Sequence, residues 1–232
     1  MTKKGFTIFE ILAVLTVISI ALVVVVGSYN AWATVYALDG AAQTLEAGLT
    51  NARATAKAKN TYVMFYYATE GQSSNTVKLV SSFQSFICTN STESISAADP
   101  RTVSDVLTDC SGYPCLAACE ITEENSDFTR QFIPLASQQR LTGHIELGYV
   151  REEEISQIND FPFQPYGSGG LVIFRPDGSV WAWNDQSEHV IIISTRKLFA
   201  TQAGQPSRPL RRILRVNLAT GMVTALKPEE LP

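Results

Sequence analysis

An apolar run of 21 residues, Phe6 to Val26, carries one carboxylate, Glu10, and no other charge. At 1.5 Å per residue such a run reaches about 31 Å as a helix, close to the ~30 Å hydrocarbon core of a bilayer. A secretory signal peptide has a shorter apolar core, about 7–15 residues, with a small-residue cleavage site behind it. Here the small residue, Gly5, stands in front of the run. Lys3 and Lys4 precede it, which keeps the N-terminus cytoplasmic and sends the chain after Gly27 to the far side of the membrane. Hydropathy alone gives a signal-anchor helix tethering an external domain. Glu10 adds a second constraint, because a charge deep in hydrocarbon costs about 2.5–3.5 kcal/mol on insertion scales. Either Glu10 snorkels to the interface near the helix end, or a neighbouring cation pairs with it and fixes a register.

The segment KKGFTIFE resembles the prepilin peptidase site of type IV pilins and type II secretion pseudopilins: basic residues, Gly, Phe, then Glu as fifth residue of the mature chain. Lys3, Lys4, Gly5, Phe6 and Glu10 match it, and Thr7 and Ile8 fit. Phe9 departs mildly, standing where an aliphatic residue is more usual, and it keeps the surface apolar. The resemblance implies cleavage between Gly5 and Phe6, N-methylation of Phe6, and a filament core of packed helices. It also implies a role for Glu10 opposite the N-terminal amine of an adjoining subunit. The partners implied are prepilin peptidase, other pilins or pseudopilins of the same filament, and the inner-membrane assembly platform.

The chain has 232 residues, enough for one compact domain and a long helix. Loss of a leader at residues 1–5 removes Lys3 and Lys4 and moves the net charge from −4 to −6. With no long basic run after the leader, nucleic acid is not expected as a partner. The helix is expected to continue beyond the membrane, because Val35, Leu38, Ala42, Leu45, Leu49, Ala52 and Ala56 alternate spacings of three and four. Such a stripe suits a coiled coil or, since strand-like sequence follows at once, packing on a sheet. Gly40 and Gly48 weaken it by about 1 kcal/mol each.

After Lys59 the period changes to that of strands. YVMFYYA and TVKLVSSFQSFI read as two strands, DFTRQFIPL and GHIELGYV as two more, and EHVIIIS as another. LVIFRPDGSVWAWN reads as a hairpin turning at Pro176, Asp177 and Gly178, and RRILRVNLATGMVTAL as a last one around Thr220 and Gly221. The polar stretch 88–125 and NDFPFQPYGSGG read as loops, and REEEISQI as a short helical or turn segment with a solvated acidic face.

The expected fold is therefore α+β, a long N-terminal helix packed on a predominantly antiparallel sheet. The expected organisation is a leader at 1–5, a transmembrane half-helix at 6–26, an amphipathic half at 27–59, and a globular β domain at 60–232. ARATAKAKNTYVMFYY, FRPDG and NLATGMV further resemble, over much of the chain, H-type minor pseudopilins and related minor pilins. That resemblance implies a structural subunit rather than an enzyme. The competing reading is a signal-anchored extracytoplasmic enzyme or ligand-binding domain.

Cys88, Cys110, Cys115 and Cys119 suggest two disulfides in an exported domain, with three pairings open. Their C-x₄-C and C-x₃-C spacings depart from the C-x₂-C usual for zinc, so no metal site is expected. His144 and His189 are the two histidines, and no nucleophile elbow surrounds any serine. GSGG at 167–170 precedes strand-like sequence and lacks the context of a phosphate loop. Glu152, Glu153 and Glu154 lie in no oxygen-rich loop with alternating ligands, which argues against calcium. Trp181 and Trp183, two apart, would share a strand face in a core or a subunit contact. No catalytic residue and no cofactor is expected.

Overall fold

The computed structural model describes residues 8–70, 80–89, 101–102, 119–122, 129–141, 145–151, 169–181, 188–195 and 210–226. Helix α1 spans Ile8–Lys59. The chain divides into two compact units, 1–36 and 37–232. The sequence boundary at residue 60 marks the end of the helix, whereas the second unit already begins at Ala37, because the amphipathic half of α1 supplies part of its core.

In that unit Leu38, Ala42, Leu45, Leu49, Ala52 and Ala56 are all buried. They pack on sheets, as the strand-rich sequence after them implies, and not in a coiled coil. Asn60 follows the last helical residue, and its φ of 50° is left-handed. There Asn60 N donates to Lys57 O at 3.4 Å and Thr61 N to Ala56 O at 3.1 Å, closing the last orphan carbonyls. Lys57 and Lys59 sit at the negative end of the helix dipole.

Among the described residues eleven strands follow: β1 Val63–Glu70, β2 Val80–Thr89, β3 Arg101–Thr102, β4 Cys119–Thr122, β5 Thr129–Pro134, β6 Gln139–Arg140, β7 Ile145–Val150, β8 Gly169–Phe174, β9 Glu188–Thr195, β10 Arg211–Asn217 and β11 Val223–Leu226. One sheet has the order β3-β4-β5-β2-β1-β8 with β6 also on β2, and the other β11-β10-β9-β7. Every ladder but the short β3–β4 pair is antiparallel. The α+β architecture is thus as the sequence implies.

Three readings are corrected. The stretch 88–125 is not all loop, since β2 runs to Thr89 and β3 and β4 fall inside it, joining the first sheet beyond β5. Gly169 and Gly170 belong to β8, where they pair with Ala68 and Tyr67, so the glycines serve a ladder and not a loop. The hairpin after β8 has a second arm reduced, among the described residues, to the Phe174–Val180 bridge, because Val180 N turns to Leu218 O at 2.7 Å while Trp181 N holds Ile173 O. The REEEISQI glutamates lie outside the described residues.

Side-chain parity splits the first sheet into two buried faces. Val63, Phe65, Tyr67 and Phe83 join the helix stripe, with Ile191, Ile193, Leu214 and Val216 of the second sheet. Met64, Tyr66, Phe86, Cys88, Phe132 and Trp181 form a separate cluster on the opposite face. Gly48 is required by the first cluster: a Cβ there would lie 2.8 Å from the Phe65 ring and 3.0 Å from Phe83, which stack at 5.2 Å.

Among the described residues no ladder joins the two sheets, and hydroxyl groups bridge the seam. Leu147 N of β7 donates to Thr69 Oγ1 of β1 at 2.7 Å, and Ser81 Oγ of β2 donates to Ile145 O. Arg212 of β10 donates to Asp39 of the helix at 2.7 Å. The last hairpin turns as the sequence implies: Thr220 N donates to Asn217 Oδ1 at 2.9 Å, and Gly221 takes a φ of +66°.

Candidate functional site

The first unit carries the candidate site, and it is a surface. Ile8, Phe9, Ile11, Leu12, Val14 and Leu15 are exposed in consecutive turns, Phe9 to 83%. A helix apolar on every face belongs in hydrocarbon or in a protein core. Two of its hydroxyls turn back to the backbone: Thr16 Oγ1 donates to Ala13 O at 2.8 Å, and Ser19 Oγ to Leu15 O at 2.8 Å. Glu10 is exposed in the first turn, where the helix dipole favours a carboxylate. Gly5 and Phe6 lie outside the described residues.

Among the described residues no helix is long and apolar enough to cross a membrane. The side chains are described without a break from Ile8 to Val23, Glu10, Thr16 and Ser19 among them, about 24 Å of helix against a core of ~30 Å. The span expected over Phe6–Val26 rests on the sequence alone.

His189 is buried on β9, and burial pushes its pKa down to about 3. Its Nε2 lies 2.8 Å from the Tyr67 hydroxyl, and its ring stacks on Tyr149 at 4.8 Å. These are partners for a neutral imidazole bridging two sheets, and neither tyrosine supplies the carboxylate that a nucleophile–His–acid relay needs. His144 lies outside the described residues. Among the described residues no group of three His, Cys, Asp or Glu could hold a metal ion.

Cys88 and Cys119 each pair with Phe132, on opposite sides of β5. Two strand spacings separate them, roughly 9–10 Å between Cα atoms. A disulfide needs about 4.4–6.8 Å, so the register forbids a direct Cys88–Cys119 bridge and leaves two of the three pairings. Cys110 and Cys115 lie outside the described residues. Trp181 is buried edge-on against Tyr62 at 5.9 Å, a core role; Trp183 lies outside the described residues.

Two features escape the reading of the sequence. Tyr29, Trp32 and Tyr36 make an exposed aromatic row on one face of α1. Their spacing of three and four, directly after the apolar run, was the available signal. A groove of about 880 Å³ also opens between Gln43, Asn51 and Thr55 of the helix and Leu135–Ser137 beside β2. Gln84 borders it, with Nε2 donating to Ala136 O at 2.9 Å and a buried Oε1 that has no hydrogen-bond partner among the described residues. No local sequence pattern marks a groove built from segments so distant in the chain.

No protein-family model matches the chain. No curated protein matches it. Among solved structures, the crystal structure of the type IV minor pilin FimU of Pseudomonas aeruginosa is similar at a TM-score of 0.39 and 13% identity, covering 84% of this chain and 92% of that one. A likeness of this degree does not assign a function.

Proposed function

We propose that the chain is a structural subunit of the minor pilin or minor pseudopilin kind, belonging to a type IV pilus-like or type II secretion filament. Prepilin peptidase cuts between Gly5 and Phe6, and Phe6 is N-methylated. The Phe6–Val26 helix is held in the inner membrane, N-terminus cytoplasmic and globular domain extracytoplasmic, then passes into a filament core with other subunits through the assembly platform.

One observation carries this reading: one carboxylate, Glu10, stands in the apolar run Phe6–Val26, four residues after Phe6 of Lys-Lys-Gly-Phe. Cleavage leaves an ammonium on Phe6, and a packed helix core puts one subunit's ammonium within reach of another's carboxylate. Neither charge is tolerable alone in hydrocarbon, and together they set the axial register. Support also comes from the amphipathic second half of α1, which is committed to antiparallel sheets and leaves the first half for assembly.

The test is co-expression with prepilin peptidase and mass spectrometry of the mature N-terminus. The expected product begins with N-methylated Phe6. An intact Met1 in a peptidase-positive host overturns the reading.

The second reading, an anchored ligand-binding domain or enzyme, draws on the groove beside Gln84. An uncut chain with saturable ligand binding or turnover by the external domain would establish it.

A further inference from the structure

Tyr29, Trp32 and Tyr36 follow the apolar run at spacings of three and four, which places them on one face of α1. They are 63%, 56% and 59% exposed. Their rings touch in series, Tyr29 to Trp32 with centroids 6.5 Å apart and Trp32 to Tyr36 at 4.0 Å. Single exposed apolar residues are ordinary, but three aromatic rings in contact make a patch that calls for a partner.

We propose that this row is an interfacial anchor that seats α1 in the headgroup layer at the extracytoplasmic face of the bilayer. The inference rests on the membrane-held reading of Phe6–Val26. Along a helix, Tyr29 and Trp32 lie about 4.5 Å and about 9 Å beyond Val26. The headgroup layer is about 5–8 Å deep on each side of the hydrocarbon. Helical side chains lean toward the N-terminus, which draws both rings back into that layer. Tyr36, about 15 Å beyond Val26, stacks on Trp32 and covers the row on its water side. Tyrosine and tryptophan suit this position because each has an apolar body and one hydrogen-bonding tip.

The chemistry also favours lipid by what recognition must rely on. Between Val26 and Arg53 the sequence has no lysine or arginine. Attraction to anionic headgroups is therefore not available to this segment, and the seat is set by amphipathic rings alone. Anchoring should then be insensitive to salt.

The experiment uses the full chain in phosphatidylethanolamine–phosphatidylglycerol vesicles, with acyl chains brominated either near the carbonyl or near the terminal methyl. The Trp32 signal is the difference between the unsubstituted chain and Trp32→Phe. Shallow bromines are expected to quench about half of it, deep bromines little, with no change in high salt. Alkaline carbonate extraction of the same vesicles reports whether the helix is held at all. Retention with an unquenched Trp32 overturns the anchor and leaves the membrane reading standing. Retention with Trp32 unquenched and cross-linked between copies assigns the row to a protein contact, which also overturns it. Release by carbonate overturns both.

Discussion

The Tyr67 hydroxyl and His189 Nε2 lie 2.8 Å apart across a seam that, among the described residues, no backbone ladder crosses. Tyr67 belongs to β1 and His189 to β9, so this pair ties an interior strand of one sheet to an interior strand of the other. Tyr67→Phe removes the partner of a buried nitrogen while keeping the ring. The expected cost is about 1–3 kcal/mol in chemical denaturation of the domain from about Asn30 onward. An unchanged midpoint would show the pair to be incidental.

Stability should fall with acid through the same imidazole. The folded pKa is depressed from 6.5 to about 3, so between those values the unfolded chain holds a proton that the folded chain refuses. The contribution is complete above pH 6.5 and is lost as pH falls toward the folded value. His189→Gln should flatten the slope of unfolding free energy between about pH 6 and pH 4. Equal slopes in both proteins would mean the imidazole is charged when folded.

Gly40 and Gly48, both within the amphipathic half of α1, should respond oppositely to alanine. A Cβ at Gly40 meets nothing within 4 Å, and Gly40→Ala should gain up to about 1 kcal/mol from helix propensity. Gly48→Ala drives a methyl into the Phe65 ring and should lose about 1–3 kcal/mol. Thermal melts of the two variants, moving in opposite directions, are the expected result.

Non-reducing peptide mapping should yield no Cys88–Cys119 linkage, because Phe132 stands between them. Linked peptides should instead join Cys88 to Cys110 or to Cys115. Four reduced thiols with stoichiometric zinc would replace the disulfide expectation altogether.

Glu10→Val should leave membrane insertion and cleavage after Gly5 intact and impair incorporation into filaments. The soluble domain should keep its melting temperature, since Glu10 lies in the other compact unit. Normal incorporation of the variant would remove the proposed pairing with an adjoining N-terminal amine.

The sequence by itself determined what depends on local period and composition. The helix ends at Lys59 as its stripe implies, and the strands around Tyr66, Phe86, Ile133, Leu147, Ile192 and Leu214 lie where apolar and β-branched residues concentrate. Glu10 is legible as a candidate because a charge in an apolar run is conspicuous without coordinates. Only the tertiary structure decided what depends on residues far apart in the chain. It divided the strands between two sheets and put Tyr67 against His189 across 122 positions. It also extended strands into the cysteine stretch and set Cys88 and Cys119 on either side of Phe132. Strand order, register and ring packing arise from long-range burial and hydrogen bonding, which leave no periodic mark in the segments that make them.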